Sequence, residues 1–241
     1  MTGWLYEIFA SVQGEGIYCG QRQTFVRLAG CNLACDYCDT LAARHPDPPT
    51  CRVELSPGSG EAVEIANPMT VEQVEGYCRR YGRNVVTVTG GEPLVQVDFV
   101  ELLLGELKAA GLLTHLETNG TLYRELAAVA RCVDVVAMDM KLPSAAGGGE
   151  RWEEHARFLE IASGTEVFVK VVVSAETTED EIRRCSDLIG SVDRYIPLVI
   201  QPAAGSNPPP GQLLLRLQDA ASDKLADVRV IPQCHKALGL R

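Results

Sequence analysis

The 241 residues are 46% hydrophobic and 22% charged, the usage of a folded domain rather than of a disordered chain. Acidic residues (32) outnumber basic ones (22), for a formal net charge of -10 at pH 7, and no Lys/Arg block occurs, which argues against a nucleic-acid partner. No window approaches the roughly 18 uninterrupted apolar residues of a membrane span, and Met1-Thr2-Gly3-Trp4-Leu5-Tyr6-Glu7 lacks a signal-peptide pattern, so a cytoplasmic protein without membrane contact is expected.

From Thr24 onward, short β-branched runs alternate with helical patterns. Strands are predicted at Phe25–Leu28, Val85–Thr89, Thr114–Glu117, Val133–Met138, Val167–Val173 and Leu198–Ile200, with a further strand-like run at Val228–Ile231. The six lack polar alternation, as expected of strands covered on both faces. Between them, Thr70 and Gln73 form a capping box ahead of an apolar face of Val71, Val74, Cys78 and Tyr81. Leu102, Leu103, Leu107 and Leu112 suggest the next helix, followed by Tyr123–Ala130 and Trp152–Ile161. Thr178 and Glu181 repeat the capping device before Ile182, Cys185, Leu188 and Ile189, and Gln212–Leu225 supplies the last helix. Six strands spaced by helices imply an α/β fold with a parallel sheet, open or curled into a partial barrel, with too few units to close eight strands. Arg44–Pro68 holds five of the 13 prolines and reads as an irregular surface insertion. Gly147-Gly148-Gly149 reads as a flexible loop. Neither a repeat nor a linker divides the chain, so one domain over residues 1–241 is expected, with the insertion at about 44–68.

Nine cysteines, an odd number, point away from a disulfide framework and toward metal or redox chemistry at some of them. Cys31, Cys35 and Cys38 are spaced C-x3-C-x2-C, directly after the first predicted strand. That is the strand end where α/β folds place their chemistry. Three thiolates can hold three irons of a four-iron cube and leave the fourth open to a small molecule. A zinc site completed by His45, or plain packing of small side chains, are the competing readings. Cys19, Cys51, Cys78, Cys132, Cys185 and Cys234 lack such spacing and are expected to pack. A second glycine-rich segment, Thr89-Gly90-Gly91-Glu92-Pro93, ends the next strand, where glycines let backbone approach a ligand closely.

The triplet followed by Gly90-Gly91-Glu92-Pro93 resembles the radical S-adenosylmethionine (SAM) enzymes, whose fold is a partial (β/α)6 barrel. More narrowly, Glu7–Gly16, Phe25–Leu33 and Cys38-Asp39-Thr40 are similar to the 7-carboxy-7-deazaguanine synthase family, and the similarity continues to His235-Lys236-Ala237-Leu238-Gly239-Leu240-Arg241. The resemblance implies one 4Fe-4S cluster on Cys31, Cys35 and Cys38, and Mg²⁺ at Thr40. It implies a 6-carboxytetrahydropterin substrate held by Val12, Gln13, Gly14, Glu15, Arg27, Thr89, His235 and the terminal carboxylate of Arg241. It implies SAM contacts from Tyr37, Cys38, Asp39, Gly91, Glu92, Asn119, Asp139, Met140, Lys141, Gln201, Pro202, Ala203 and Ala204. The implied reaction is a SAM-dependent radical ring contraction that releases ammonia, in queuosine-type 7-deazapurine synthesis. A flavodoxin or ferredoxin as electron donor, and a homodimer, follow from the same resemblance. Where the family has an acidic residue after Gln-Pro, this chain has Ala203-Ala204.

Residue chemistry is consistent with these roles. A guanidinium on a barrel strand needs an anionic partner, so Arg27 is expected to fork onto a substrate carboxylate or to pair with a structural Asp or Glu. Gln13 and Glu15 offer the donors and acceptors that a pterin edge requires. His45, His115 and His155 have no comparable context. Two rival functions remain at this point: a glycyl-radical-enzyme activase, which shares the cysteine spacing, and a non-catalytic iron–sulfur or zinc protein.

Overall fold

The computed structural model describes residues 1–146, 149–204 and 207–240, so Gly147, Gly148, Gly205, Ser206 and Arg241 lie outside the described residues. Along the chain the strands are β1 (Thr2–Gly3), β2 (Leu5–Val12), β3 (Arg22–Leu28), β4 (Thr50–Glu54), β5 (Ala62–Ala66) and β6 (Met69–Thr70). They continue with β7 (Val85–Gly90), β8 (Leu113–Thr118), β9 (Val135–Asp139), β10 (Glu166–Val173), β11 (Leu198–Pro202) and β12 (Val228–Val230). β1 and β6 pair only with each other, and the other ten form one sheet in the order β12-β11-β10-β9-β8-β7-β3-β2-β4-β5. Every junction from β12 to β3 is parallel, and the six predicted strands are β3 and β7 to β11.

Helices cover this parallel core. They are α1 (Val71–Tyr81), α2 (Val97–Ala109), α3 (Tyr123–Val129), α4 (Pro143–Ala146), α5 (Trp152–Ala162), α6 (Glu179–Val192), α7 (Gly211–Ser222) and α8 (Cys234–Ala237). Both predicted capping boxes form. Thr70 Oγ1 accepts from the Gln73 amide at 3.3 Å, and the Gln73 side chain accepts from the Thr70 amide at 2.8 Å. Thr178 and Glu181 do the same at the start of α6, which satisfies amides that helix starts otherwise leave unpaired. α1 buries the four residues expected. α2 ends at Ala109, so Leu112 follows the helix and Leu102 faces solvent, while Phe99, Val100, Leu103, Leu104 and Leu107 form its buried side.

Two elements depart from the sequence-based expectation. β2 runs antiparallel to β3 and parallel to β4, so the sheet is mixed at this side. Its run is broken by buried Glu7 and Ser11, which removes the continuous apolar signal of the other strands. The insertion is not irregular: β4 and β5 form an antiparallel hairpin that extends the sheet, with Cys51 and Val53 fully buried. Its prolines flank the strands and do not interrupt them. The Glu54 carboxylate, buried at the strand end, accepts from the amides of Ala10 (3.1 Å), Gly58 (3.1 Å) and Gly60 (3.2 Å), which ties the hairpin turn to β2. The Tyr81 hydroxyl reaches the carbonyls of Ile8 and Glu54 from α1 and fixes the same corner.

Candidate active site

Segments leaving the C-terminal ends of β3, β7, β8, β9 and β11 surround a cavity of about 530 Å³. Side chains of β2 and β10 and the C-terminal segment complete its wall. Cys31, Cys35 and Cys38 all line it as free, half-buried thiols. Burial pushes the Cys31 and Cys35 thiols up, with Lys141 pulling in the opposite direction. His45 is 69% exposed and pairs with Asp47 at 3.2 Å, away from the cavity, so it completes no zinc site with the thiols. No three His, Cys, Asp or Glu side chains among the described residues surround one shared point.

The glycine pair at the end of β7 allows close packing against β3 and the cysteine loop. A Cβ on Gly90 would stand 2.6 Å from the Leu28 carbonyl oxygen, and one on Gly91 would stand 2.8 Å from Cys31 Cβ. Beneath this contact Glu92 is fully buried. Its carboxylate accepts from the Leu94 amide (3.1 Å), the Thr118 hydroxyl (2.9 Å) and the Asn119 amide (2.7 Å). Burial nevertheless pushes its carboxyl up to about 7. Asn119 Nδ2 donates to Asn32 at 2.8 Å, and Asn32 donates to Thr121 at 2.9 Å, so the β8 loop and the cysteine loop are laced together.

Charged groups run across the cavity wall. Asp139 Oδ2 accepts from Lys141 at 2.9 Å and from Lys170 at 3.1 Å, and Lys170 also donates to Glu15. Burial alone would raise the Glu15 and Asp139 carboxyls, but the lysines hold both below the ordinary carboxylate range. Gln233 Nε2 donates to Glu15 at 2.6 Å and to Asp39 at 3.0 Å, and Lys236 reaches Asp39 at 3.3 Å. These contacts outweigh the desolvation of Asp39 and bring its carboxyl down to about 2. Thr40 donates to Asp39 Oδ1 at 3.1 Å beside it. Arg27 pairs through Nε with Glu7 at 3.0 Å, and the Phe9 and Phe25 rings stack near it with centroids 5.0 Å apart. Gln13 donates to Glu117 at 2.8 Å and to Gln23 at 3.3 Å, and its carbonyl accepts from the Glu15 amide at 3.1 Å. Three buried polar atoms in the cavity wall have no hydrogen-bond partner among the described residues: the Tyr37 hydroxyl and two acceptors, Asp139 Oδ1 and Gln201 Oε1. An unpaired buried acceptor is costly and calls for a donor-bearing ligand.

Residues 25–189 match the model of the Radical SAM superfamily. A 7-carboxy-7-deazaguanine synthase of Geobacter sulfurreducens is 42% identical over 98% of this chain and 96% of its own length. Another, from Methanopyrus kandleri, is 36% identical over 96% of this chain and 92% of its own. The chain belongs to the 7-carboxy-7-deazaguanine synthase family.

The crystal structure of QueE from Escherichia coli is similar in fold, with a TM-score of 0.66 at 23% identity, and the match covers 98% of this chain and 95% of that one. As a radical SAM enzyme, a 7-carboxy-7-deazaguanine synthase of this kind uses a 4Fe-4S cluster and SAM. The three free thiols and the two unpaired acceptors fit that pair of groups.

In this member of the 7-carboxy-7-deazaguanine synthase family, most of the predicted site residues line the one cavity: Val12, Gln13, Gly14, Glu15, Arg27, Tyr37, Asp39, Thr40, Thr89, Gly91, Asn119, Asp139, Lys141, Gln201, Ala203, Ala204 and His235. Met140, Pro202 and Glu92 do not. Side chains alternate along an extended segment, so Asp139 and Lys141 face the cavity while Met140 is buried in the core; Gln201 and Ala203 flank Pro202 in the same way. Glu92 lies below the cavity and braces the β8 loop. Arg241 lies outside the described residues.

Sequence reasoning missed Lys170, Gln233, Glu117 and His155. Fully buried His155 on α5 accepts from the Lys141 amide at Nε2 (3.1 Å), which leaves Nδ1 to donate to the Gly120 carbonyl (2.9 Å). Burial lowers its pKa to about 4 and keeps it neutral. No local spacing signals such a contact. No helix among the described residues is long and apolar enough to cross a membrane.

Proposed function

We propose that the chain converts 6-carboxy-5,6,7,8-tetrahydropterin to 7-carboxy-7-deazaguanine with release of ammonia, in queuosine-type 7-deazapurine synthesis. The carrying observation is the single cavity of about 530 Å³ whose wall joins three free thiols, two unpaired buried acceptors, a half-buried arginine and an ionised glutamate. A space of that size suits small ligands rather than a protein segment, which disfavours the activase alternative.

Cys31, Cys35 and Cys38 would hold the cluster, which together with SAM would supply the radical chemistry that removes hydrogen from the carboxylate-bearing carbon of the pterin. The protein binds, orients and shields. Asp139 Oδ1 and Gln201 Oε1 accept from the hydroxyl and amino donors of SAM, with Tyr37, Asp39, Gly91, Asn119, Ala203 and Ala204 bordering it. Arg27, its Nε committed to Glu7, presents the rest of its fork to the pterin carboxylate. Glu15, kept ionised by Lys170, accepts from the guanidine-like edge of the ring, and Gln13, fixed by Glu117 and Gln23, reads the adjoining amide. Thr89 borders the ring and His235 closes over it to exclude water. Thr40 would offer its hydroxyl to Mg²⁺, an ion that would help to hold the substrate carboxylate.

A flavodoxin or ferredoxin reductant, a homodimeric assembly and a cytoplasmic setting complete the proposal, and all three follow the family resemblance. The test is anaerobic cluster reconstitution followed by incubation of the carboxytetrahydropterin with SAM and reductant, with and without Mg²⁺. A product lighter by ammonia, formed faster with Mg²⁺, is expected. SAM cleavage with no consumption of the pterin would overturn the substrate assignment.

A further inference from the structure

Lys170 stands mid-sheet on β10, directly beside its register partner Asp139 on β9. Among the described residues its ammonium alone touches both a carboxylate of the N-terminal segment, Glu15, and a carboxylate of the β9 end, Asp139. The lysine side chain is 14% exposed, against 23% for Glu15 and 17% for Asp139, so water screens these contacts weakly. Gln233 extends the chain from Glu15 toward the C-terminus, and Lys141 extends it from Asp139 toward the cysteine loop. Two carboxylates therefore share one cation, and what happens to one is felt by the other.

We infer that Lys170 is a positioning residue that couples the pterin side of the cavity to the SAM side. This rests on the proposed function in naming Glu15 as a substrate contact and Asp139 as a SAM contact. With Glu15 ionised, Lys170 divides its charge between two partners, and Asp139 keeps acceptor capacity for a ligand. If Glu15 loses its charge, Lys170 turns wholly to Asp139 and competes with the donors of SAM. The neighbourhood also becomes more positive by one charge, which disfavours a sulfonium ligand. Both effects weaken SAM binding; the loss of negative charge acts with or without Lys170, and the competition at Asp139, which the cycle isolates, needs its ammonium. Coupling of this kind is reciprocal, so SAM affects pterin affinity by the same factor.

The test is a double-mutant cycle on the cluster-loaded enzyme that reads SAM affinity by calorimetry, with no turnover required. Glu15→Gln is expected to raise the SAM Kd at least about fivefold in the otherwise unaltered chain, the lower range of measured couplings. In a Lys170→Met background the same Glu15→Gln change is expected to alter it less than about twofold. Lys170→Arg, which keeps the charge, restores the effect, and iron content with far-UV dichroism verifies that each variant is folded and loaded. An unchanged SAM Kd in Glu15→Gln, or an equal loss with and without Lys170, would overturn the coupling. Failure of the pterin to turn over would strike the substrate assignment and leave this affinity measurement intact.

Discussion

Gly14 and His235 are packed so closely that a Cβ on the glycine would stand 2.6 Å from Cβ of the histidine and would collide with its ring. The Cys234 amide donates to the Gly14 carbonyl at 2.8 Å, so the chain end is fastened to the N-terminal turn at this point. The missing side chain is what allows the imidazole to close over the cavity.

Gly14→Ala is therefore expected to displace the His235 segment without unfolding the sheet. The KM for the pterin should rise about tenfold or more, in keeping with the rate and binding losses that follow small misplacements. SAM affinity should stay within about twofold, because His235 is not among its contacts. Steady-state kinetics with calorimetry on the cluster-loaded variant reads both; an unchanged KM would show that the contact has no part in substrate binding.

Arg27→Lys keeps the charge but replaces a planar fork with one ammonium. That ammonium cannot pair with Glu7 and also grip a carboxylate in two-point fashion. The expected result is a KM raised about tenfold with cluster content unaltered, measured by turnover at saturating SAM. Wild-type kinetics in this variant would remove Arg27 from the substrate contacts.

Glu92 carries a pH signature. Its carboxyl is raised from 4.5 to about 7 in the folded chain, so between those values the native state holds a proton that the unfolded state has lost. Stability from this group is full below 4.5 and falls as pH rises toward 7, by about 3 kcal/mol at about 1.36 kcal/mol per unit. Glu92→Gln should remove this group's contribution and leave stability rising with pH between 4.5 and 6.5 through His155, although it places an amide N–H against donors and costs roughly 1–3 kcal/mol at every pH. Urea midpoints of the cluster-free chain between pH 5 and 7.5 are the measurement, and parallel curves for the two proteins would contradict the assignment.

His155 tilts the other way. Its pKa falls from 6.5 to about 4 on folding, so the unfolded state binds more protons in that window and stability is lost as pH drops through it. Where the two windows overlap, Glu92 and His155 oppose each other and the wild-type profile should be nearly flat. His155→Phe should expose the Glu92 slope, cost on the order of 2 kcal/mol through the orphaned Lys141 amide and Gly120 carbonyl, and weaken SAM binding. A His155→Phe chain as stable as wild type would show that these two backbone groups find other partners.

The sequence by itself determined what depends on neighbours in the chain. Capping boxes join residues three apart, parallel strands show as short apolar runs, and the cysteine triplet lies within eight residues, so all were legible. Only the tertiary structure decided the contacts that close the site. Lys170 meets Glu15 across 155 residues and Gln233 meets it across 218, and no spacing rule spans such distances. The hairpin of β4 and β5 stayed hidden because flanking prolines dominate its composition, whereas its strands are defined by pairing with β2 and with each other. The resemblance implies SAM contacts across Asp139–Lys141 and Gln201–Ala204, and only the pleat decides which side chains face the cavity: Asp139, Lys141, Gln201 and Ala203 line it while Met140 is buried in the core.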